Sequence, residues 1–244
     1  MADVCDSIAP LAHAARKASD YNSVTQEDMA WLYRAAHMAR LVDAPKYSAQ
    51  RLDRALGQLR DLLTAPEETR KVASILREAG VRFVVIENLP KTRIDGACIW
   101  LNKSTPVVAM SLRFDRIDWF WHTLIHELTH VRHRDSAVVD TEMDKSRSEE
   151  DRPEEEKRAD ASAVSFLVPQ DQLTGFMMRV QPFYSKKKIR GFAARVGVHP
   201  GLVVGQLQFR RQVGYAHNRE MLVKVREIVT STALADGWGD VSPT

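Results

Sequence analysis

From residue 26 to residue 63 the apolar positions recur at helical spacing: Met29, Leu32, Tyr33, Ala36 and Met38, then Leu41, and after Pro45 the set Leu52, Leu56, Leu59, Leu62 and Leu63. This rhythm predicts two or three helices. Thr64-Ala65-Pro66-Glu67-Glu68 joins a capping residue, a proline and first-turn acids, so it marks a stop and a fresh helix that runs to Ala79-Gly80. The string Val81-Arg82-Phe83-Val84-Val85-Ile86 is short, branched and bounded by turn residues, as a buried strand is. Residues 97–101 and 107–112, separated by Asn102-Lys103-Ser104-Thr105-Pro106, predict a hairpin in a small antiparallel sheet. Residues 107–111 read as an edge strand able to hold an extended peptide by backbone pairing.

The pattern then returns to a period near 3.6, with Ile117, Phe120, Trp121, Leu124, Ile125, Leu128 and Val131 on one face of a helix. Residues 140–155, with Ser146, Ser148, Glu149, Glu150 and Pro153, lack that period and read as a solvated loop. A helix follows from Pro153 or Glu154, striped by Ala159, Ala163, Phe166 and Leu167 and ending before Pro169. Residues 171–232 form a last helical region, within which 189–196 and 202–209 flank Gly197-Val198-His199-Pro200-Gly201. The chain thus reads as α+β: an N-terminal helical region (1–66), a core (67–170) whose small, mainly antiparallel sheet packs on the 117–131 helix, a C-terminal helical region (171–232) and a mobile tail (233–244).

With 244 residues, 44% apolar and 27% charged, the composition is that of a globular protein able to bury a full core. Asp3, Asp6 and Asp20 interrupt the start, no signal peptide is visible, and no run approaches ~20 apolar residues. Cys5 and Cys98 make no disulfide framework, so a reducing cytoplasm is expected, with no membrane partner. The net charge of +3 hides an uneven distribution, acidic around 140–160 and basic over 179–226. A solvated face explains most such runs; an anionic partner is the sharper reading.

One segment carries chemistry. In His126-Glu127-Leu128-Thr129-His130 the histidines stand four apart on one helix stripe and can reach one ion. Glu127 is turned about 100° from His126, beside the ion, where it can take the proton of an attacking water as general base. A hydrolytic zinc site needs a third protein ligand, and Glu154, Glu155 and Glu156 offer one. Glu156 is chosen because Asp160, one turn on, can accept a hydrogen bond from the far nitrogen of a ligating histidine. The other two suit a capping role in the first turn. His122 and His133 lie near the stripe and read as solvated or supporting. Cys98 is either a small buried strand residue or an inhibitory fourth ligand through its thiolate.

Residues 94–101, Phe120-Trp121-His122-Thr123-Leu124-Ile125-His126-Glu127-Leu128-Thr129-His130, Glu156-Lys157-Arg158-Ala159-Asp160 and Phe166-Leu167-Val168-Pro169 resemble the ImmA/IrrE family of zinc metallopeptidases. Residues 30–35 and 198–207 are similar to the flanks of such domains in HigA-type antitoxin regulators. The departures are Thr129, where glycine is usual, and His122, where an aromatic residue is common. The resemblance implies a zincin-like, gluzincin-type core with Zn2+ held by His126, His130 and Glu156. It further implies an endopeptidase that cuts a helix-turn-helix repressor and relieves repression in a DNA-damage or anti-phage, CBASS-like response. Single-stranded DNA is the implied activator of the stand-alone type, and the basic C-terminal third is where it would bind.

The competing reading is an antitoxin-type regulator that binds DNA through residues 189–209 and keeps a non-proteolytic zinc centre. Against it, Leu202, Val203, Val204 and Leu207 make the second helix apolar where base-reading side chains belong. An amidase acting on a small molecule would use the same ligands. Candidates to stabilise an oxyanion are His199, His217, Tyr184 and Tyr215.

Overall fold

The computed structural model describes residues 25–135, 138–141, 152–236 and 241–242. Cys5 and the rest of 1–24, together with Ser146, Ser148, Glu149 and Glu150, lie outside the described residues, as do 237–240 and 243–244 in the expected tail.

Two helices fill the first periodic stretch. Helix α1 (Gln26–Ala39) starts at a capping box in which the Thr25 hydroxyl accepts the Asp28 N–H and the Asp28 carboxylate accepts the Thr25 N–H. Helix α2 (Ala49–Asp61) starts at Ser48, whose hydroxyl accepts the Arg51 N–H. Two 3-10 turns, Leu62–Thr64 and Pro66–Lys71, lead to α3 (Val72–Ala79). Gly80 closes α3 at φ 85°, where a Cβ would stand 2.6 Å from the Tyr47 backbone, so only glycine fits.

Strands β1 (Arg82–Ile86), β2 (Ile94–Asn102) and β3 (Thr105–Met110) precede α4 (Ile117–His133) and β4 (Val138–Thr141). Helices α5 (Glu154–Leu167), α6 (Gln170–Val180), α7 (Lys186–Val196), α8 (Pro200–Phe209) and α9 (Arg226–Thr230) follow, then β5 (Leu234–Asp236) and β6 (Val241–Ser242). The protein is α+β, as its pattern predicts. Among the described residues no helix is long and apolar enough to cross a membrane.

The sheet is mainly antiparallel, as expected, through β2–β3, β2–β4 and β5–β6, but it departs in its parallel ladders, its interior β3, the added β4 and the paired C-terminal strands. Its order is β4-β2-β3-β1-β5-β6, and it is mixed: β2 pairs antiparallel with β3 and β4, whereas β1 runs parallel to β3 and β5. The hairpin is local and visible in sequence; the parallel pairing joins distant segments and is not. Strand β3 is therefore interior, its backbone paired on both sides, and it offers no edge to a peptide. The strand outside β2 is β4, which occupies 138–141 at the start of the expected loop. Finally, the C-terminal segment is no mobile tail where it is described: β5 joins β1 and β6 pairs with β5.

Alternation along the strands splits the core in two. Phe83, Val85, Cys98, Val108 and Met110 face one cluster, shared with α2, α3, α4 and the C-terminal helices. Val84, Ile86, Ala97, Ile99, Val107 and Ala109 face the other, covered by Trp31, Leu32, Ala35, Ala36, Met38 and Ala39 of α1. Ile94 joins the α1 side although its parity is that of Cys98, because the β2–β4 register shifts between Ile94 and Gly96.

Helix α8 lies in the first cluster. Leu202, Val203, Val204 and Leu207 belong to it and Gly201, Gln206 and Gln208 are buried too, which leaves α8 little free surface of the kind a base-reading helix presents. Gly205 lets it approach α4 so closely that a Cβ there would meet the Asp118 carboxylate at 2.3 Å.

Candidate metal centre

Helix α4 carries His126 and His130, 1% and 0% exposed, one turn apart and facing α5. Between them Thr129 returns its hydroxyl to the Ile125 carbonyl at 2.8 Å, so the β-branched residue sits in the helix with its polar atom satisfied. Helix α5 begins after Pro153 and presents Glu156 one position into the core, while Glu154 points outward to Lys157. Ala159 and Ala163, both fully buried, keep the inner face of α5 small where it packs on α4.

Three donor atoms converge. His130 Nε2 lies 3.1 Å from His126 Nε2 and 3.4 Å from Glu156 Oε1; His126 Nε2 lies 3.2 Å from Glu156 Oε2. Ligands bound about 2.0–2.1 Å from a tetrahedral ion stand roughly 3.3–3.4 Å apart, close to these separations. His126, His130 and Glu156 are thus a buried group that can bind a metal ion.

Protons reinforce the point. His126 Nδ1 lies 2.9 Å from Asp160 Oδ1, and His130 Nδ1 lies 2.9 Å from Asp135 Oδ2. Burial pushes the Asp160 carboxyl up, but the hydrogen bond and charge of His126, with His122 and Arg152, outweigh it and hold the group well below the ordinary range. Asp135 behaves alike: burial raises it, and His130 with Arg158 brings it below its usual value. An ionised carboxylate only accepts, so both Nδ1 atoms donate, and a neutral ring that donates there presents an Nε2 lone pair. Burial, then His126, keeps His130 from protonating as readily as a free histidine. Two lone pairs and a carboxylate facing one another call for a cation. Nitrogen and oxygen donors of this kind suit zinc and its divalent neighbours.

Each supporting aspartate has an arginine on it: Arg152 Nη1 lies 2.7 Å from Asp160 Oδ2, and Arg158 Nη2 lies 2.6 Å from Asp135 Oδ2. Asp160 stands where the sequence places it. Asp135 was invisible to the helical pattern, since five residues past His130 it would point away had α4 continued. Arg134 instead caps the helix at φ 57°, and the chain folds Asp135 back.

Glu127 is fully buried on the side of α4 that faces β2. A Cβ at Gly96 would stand 2.9 Å from Glu127 Oε1, so the glycine backbone forms one wall of the carboxylate's pocket. Cys98 does not join the three converging donors; it is fully buried in the apolar cluster. Burial, with the charges of Glu127 and Asp135, pushes its thiol well up, which keeps it protonated. His122, about one-third exposed, lies 3.9 Å from Asp160 Oδ1, and His133 is exposed at the end of α4.

The other polar candidates are engaged in the C-terminal region. The His199 ring accepts the Gly201 N–H at the start of α8, and the Tyr184 hydroxyl donates to Gln212. His217 and Tyr215 are exposed, and their carbonyls accept from Gln208. Comparison with known proteins finds no family model that matches this chain and no matching curated protein.

Proposed function

We infer that the chain is a zinc-dependent endopeptidase with a zincin-like core of the ImmA/IrrE type. The observation that carries the reading is the convergence of His126 Nε2, His130 Nε2 and a Glu156 oxygen, with the buried carboxylate of Glu127 one helix position from the first ligand. Zinc held by His126, His130 and Glu156 would supply Lewis acidity toward a scissile carbonyl and would acidify water. Glu127 takes the proton of the attacking water on a carboxylate oxygen and returns it to the leaving amine. Gly96 fixes where that carboxylate stands. Asp160 and Asp135, each 2.9 Å from an Nδ1, would keep each imidazole in the tautomer that offers its Nε2 lone pair to a metal.

The substrate class, a helix-turn-helix repressor, rests on the resemblance of the His126–His130 and Glu156–Asp160 motifs to that family. Single-stranded DNA as activator is supported by the exposed Lys186, Lys187, Lys188 and Arg190 of α7 with Phe183 just before it, and by Phe209 and Arg211, exposed at the end of α8. Cationic side chains track phosphates and exposed rings stack on bases.

The test is to incubate the protein with the repressor encoded beside it, with and without single-stranded DNA, alongside Glu127→Gln. Cleavage is expected from the unaltered chain and a loss of about 100-fold or more from Glu127→Gln, with zinc content unchanged. Equal cleavage by the two would sink the proteolytic reading.

A further inference from the structure

His130 depends on Asp135 for its tautomer, and Asp135 depends on an abrupt reversal of the chain. The Asp135 N–H reaches back to the His130 carbonyl at 3.1 Å while its carboxylate meets the ring of the same residue. The reversal happens at Arg134, with φ 57° and ψ 35°. Glycine or asparagine is the usual occupant of that left-handed position, because a Cβ there crowds the following carbonyl and only asparagine's short polar side chain readily offsets the cost by local hydrogen bonding. Something outside the turn must favour it.

The arginine side chain shows what does. Its guanidinium carbon lies 5.1 Å from the Trp100 ring centre and 5.6 Å from that of Tyr47, both within cation–π range. Its Nη1 donates to the Lys103 carbonyl at 3.1 Å. The two rings pack edge to face at 5.5 Å, and the Tyr47 N–H donates to the Ser104 carbonyl. Tyr47 precedes α2, Trp100 belongs to β2, and Lys103 sits in the β2–β3 turn. One side chain therefore ties the end of the His126–His130 helix to three separate pieces of scaffold.

We propose that Arg134 is a positioning residue for the metal centre: clamped by Trp100, Tyr47 and the Lys103 carbonyl, it holds the turn that seats Asp135 on His130. This rests on the reading of His126, His130 and Glu156 as a metal site. Arg134 touches neither ion nor substrate and acts through the orientation of one imidazole. Arg158 holds the same Asp135 oxygen from α5, so the aspartate is fixed from two directions.

The experiment compares the full chain with Arg134→Met and Arg134→Lys. Methionine keeps the stem and the backbone demand but removes the charge and the donor; lysine restores a cation. Zinc affinity by competitive chelator titration, the visible absorption of the Co2+-substituted protein, and the Tm of the metal-free protein are read on all three. Arg134→Met is expected to weaken zinc binding about tenfold, the effect of losing support behind a ligating histidine, and to alter the Co2+ spectrum. Its metal-free Tm should stay near that of the unaltered chain, and Arg134→Lys should recover most of the affinity. Unchanged zinc affinity in Arg134→Met overturns the proposal. So does a loss that lysine does not restore and that a fall in metal-free Tm accompanies, since that is ordinary packing. Failure of the unaltered chain to bind zinc would instead overturn the metal-site reading beneath it.

Discussion

At Gly96 the backbone of β2 passes so near α4 that an added Cβ would lie 2.7 Å from Thr123 Cγ2 and 2.9 Å from Glu127 Oε1. Neither contact is tolerable, and the carboxylate, at the end of a flexible side chain, is the part that yields. Gly96→Ala is therefore expected to displace the proposed base by some tenths of an ångström to ~1 Å, lowering kcat/KM by about 100-fold. Zinc content should not change, because the atoms nearest to the added Cβ belong to Thr123 and Glu127 and not to His126, His130 or Glu156. Loss of zinc together with activity would show instead that the substitution disturbs α4 as a whole. The two aspartates make a complementary case: Asp160→Asn and Asp135→Asn should each weaken zinc binding by about 10–100-fold, read by chelator competition. Their legibility differs for a physical reason. His126 with His130, and Glu156 with Asp160, are spaced by one helical turn, so local periodicity alone puts them on shared stripes. Gly96 and Asp135 act across the fold, one through a strand-to-helix approach and the other through a left-handed cap, and neither leaves a periodic trace.

Between elements, a close approach joins α8 to the start of α4. Gly205 abuts Asp118, whose carboxylate is held by Arg116, and Arg116 also reaches Gln208 of α8 at 3.1 Å. Because the facing atoms belong to a buried, paired carboxylate, they cannot simply swing away. Gly205→Ala should cost about 1–3 kcal/mol, seen as a lower midpoint in urea denaturation. Gly191 of α7 supplies the contrast: it is exposed, a Cβ there meets nothing within 4 Å, and Gly191→Ala should stabilise by about 0.5–1 kcal/mol through helix propensity. Equal effects at the two positions would mean that close approach plays no part. The apolar run Leu202-Val203-Val204 with Leu207 already pointed to packing over base reading, and the buried faces of α8 agree. Strand partners were less legible. The hairpin of β2 and β3 is announced by its turn, whereas the parallel neighbours of β1 depend on contacts across more than twenty residues, for which composition carries no signal.

Over the whole molecule, α1 covers the face of the sheet opposite the candidate metal centre, and β5 and β6 extend the sheet beyond β1. Trp31 Nε1 donates to the Ile86 carbonyl at 3.1 Å, and Arg34 pairs with Asp236 of β5, whose side chain is fully buried. A segment near each end of the chain is thus joined by an ion pair, in a region whose sequence suggests only a loose tail. Breaking a buried pair from one side is costly because the remaining charge stays in a medium that solvates it poorly. The Arg34 side chain is 30% exposed, so the expected cost of Arg34→Ala is at the lower end, about 2–3 kcal/mol. The distribution of that loss is the sharper expectation. α1 and the alternate residues of β1 to β3 form one cluster, while α4 and the C-terminal helices pack in the other. Arg34→Ala should accordingly raise amide exchange in α1, β5 and the adjacent side of β1 while leaving zinc affinity within about twofold, since α1 packs in the cluster that does not include α4. Hydrogen exchange followed by mass spectrometry, with a zinc titration on the same sample, separates the cases. A drop in zinc affinity matching the drop in stability would mean that the two faces of the sheet unfold as one unit and that the ion pair supports the metal centre itself.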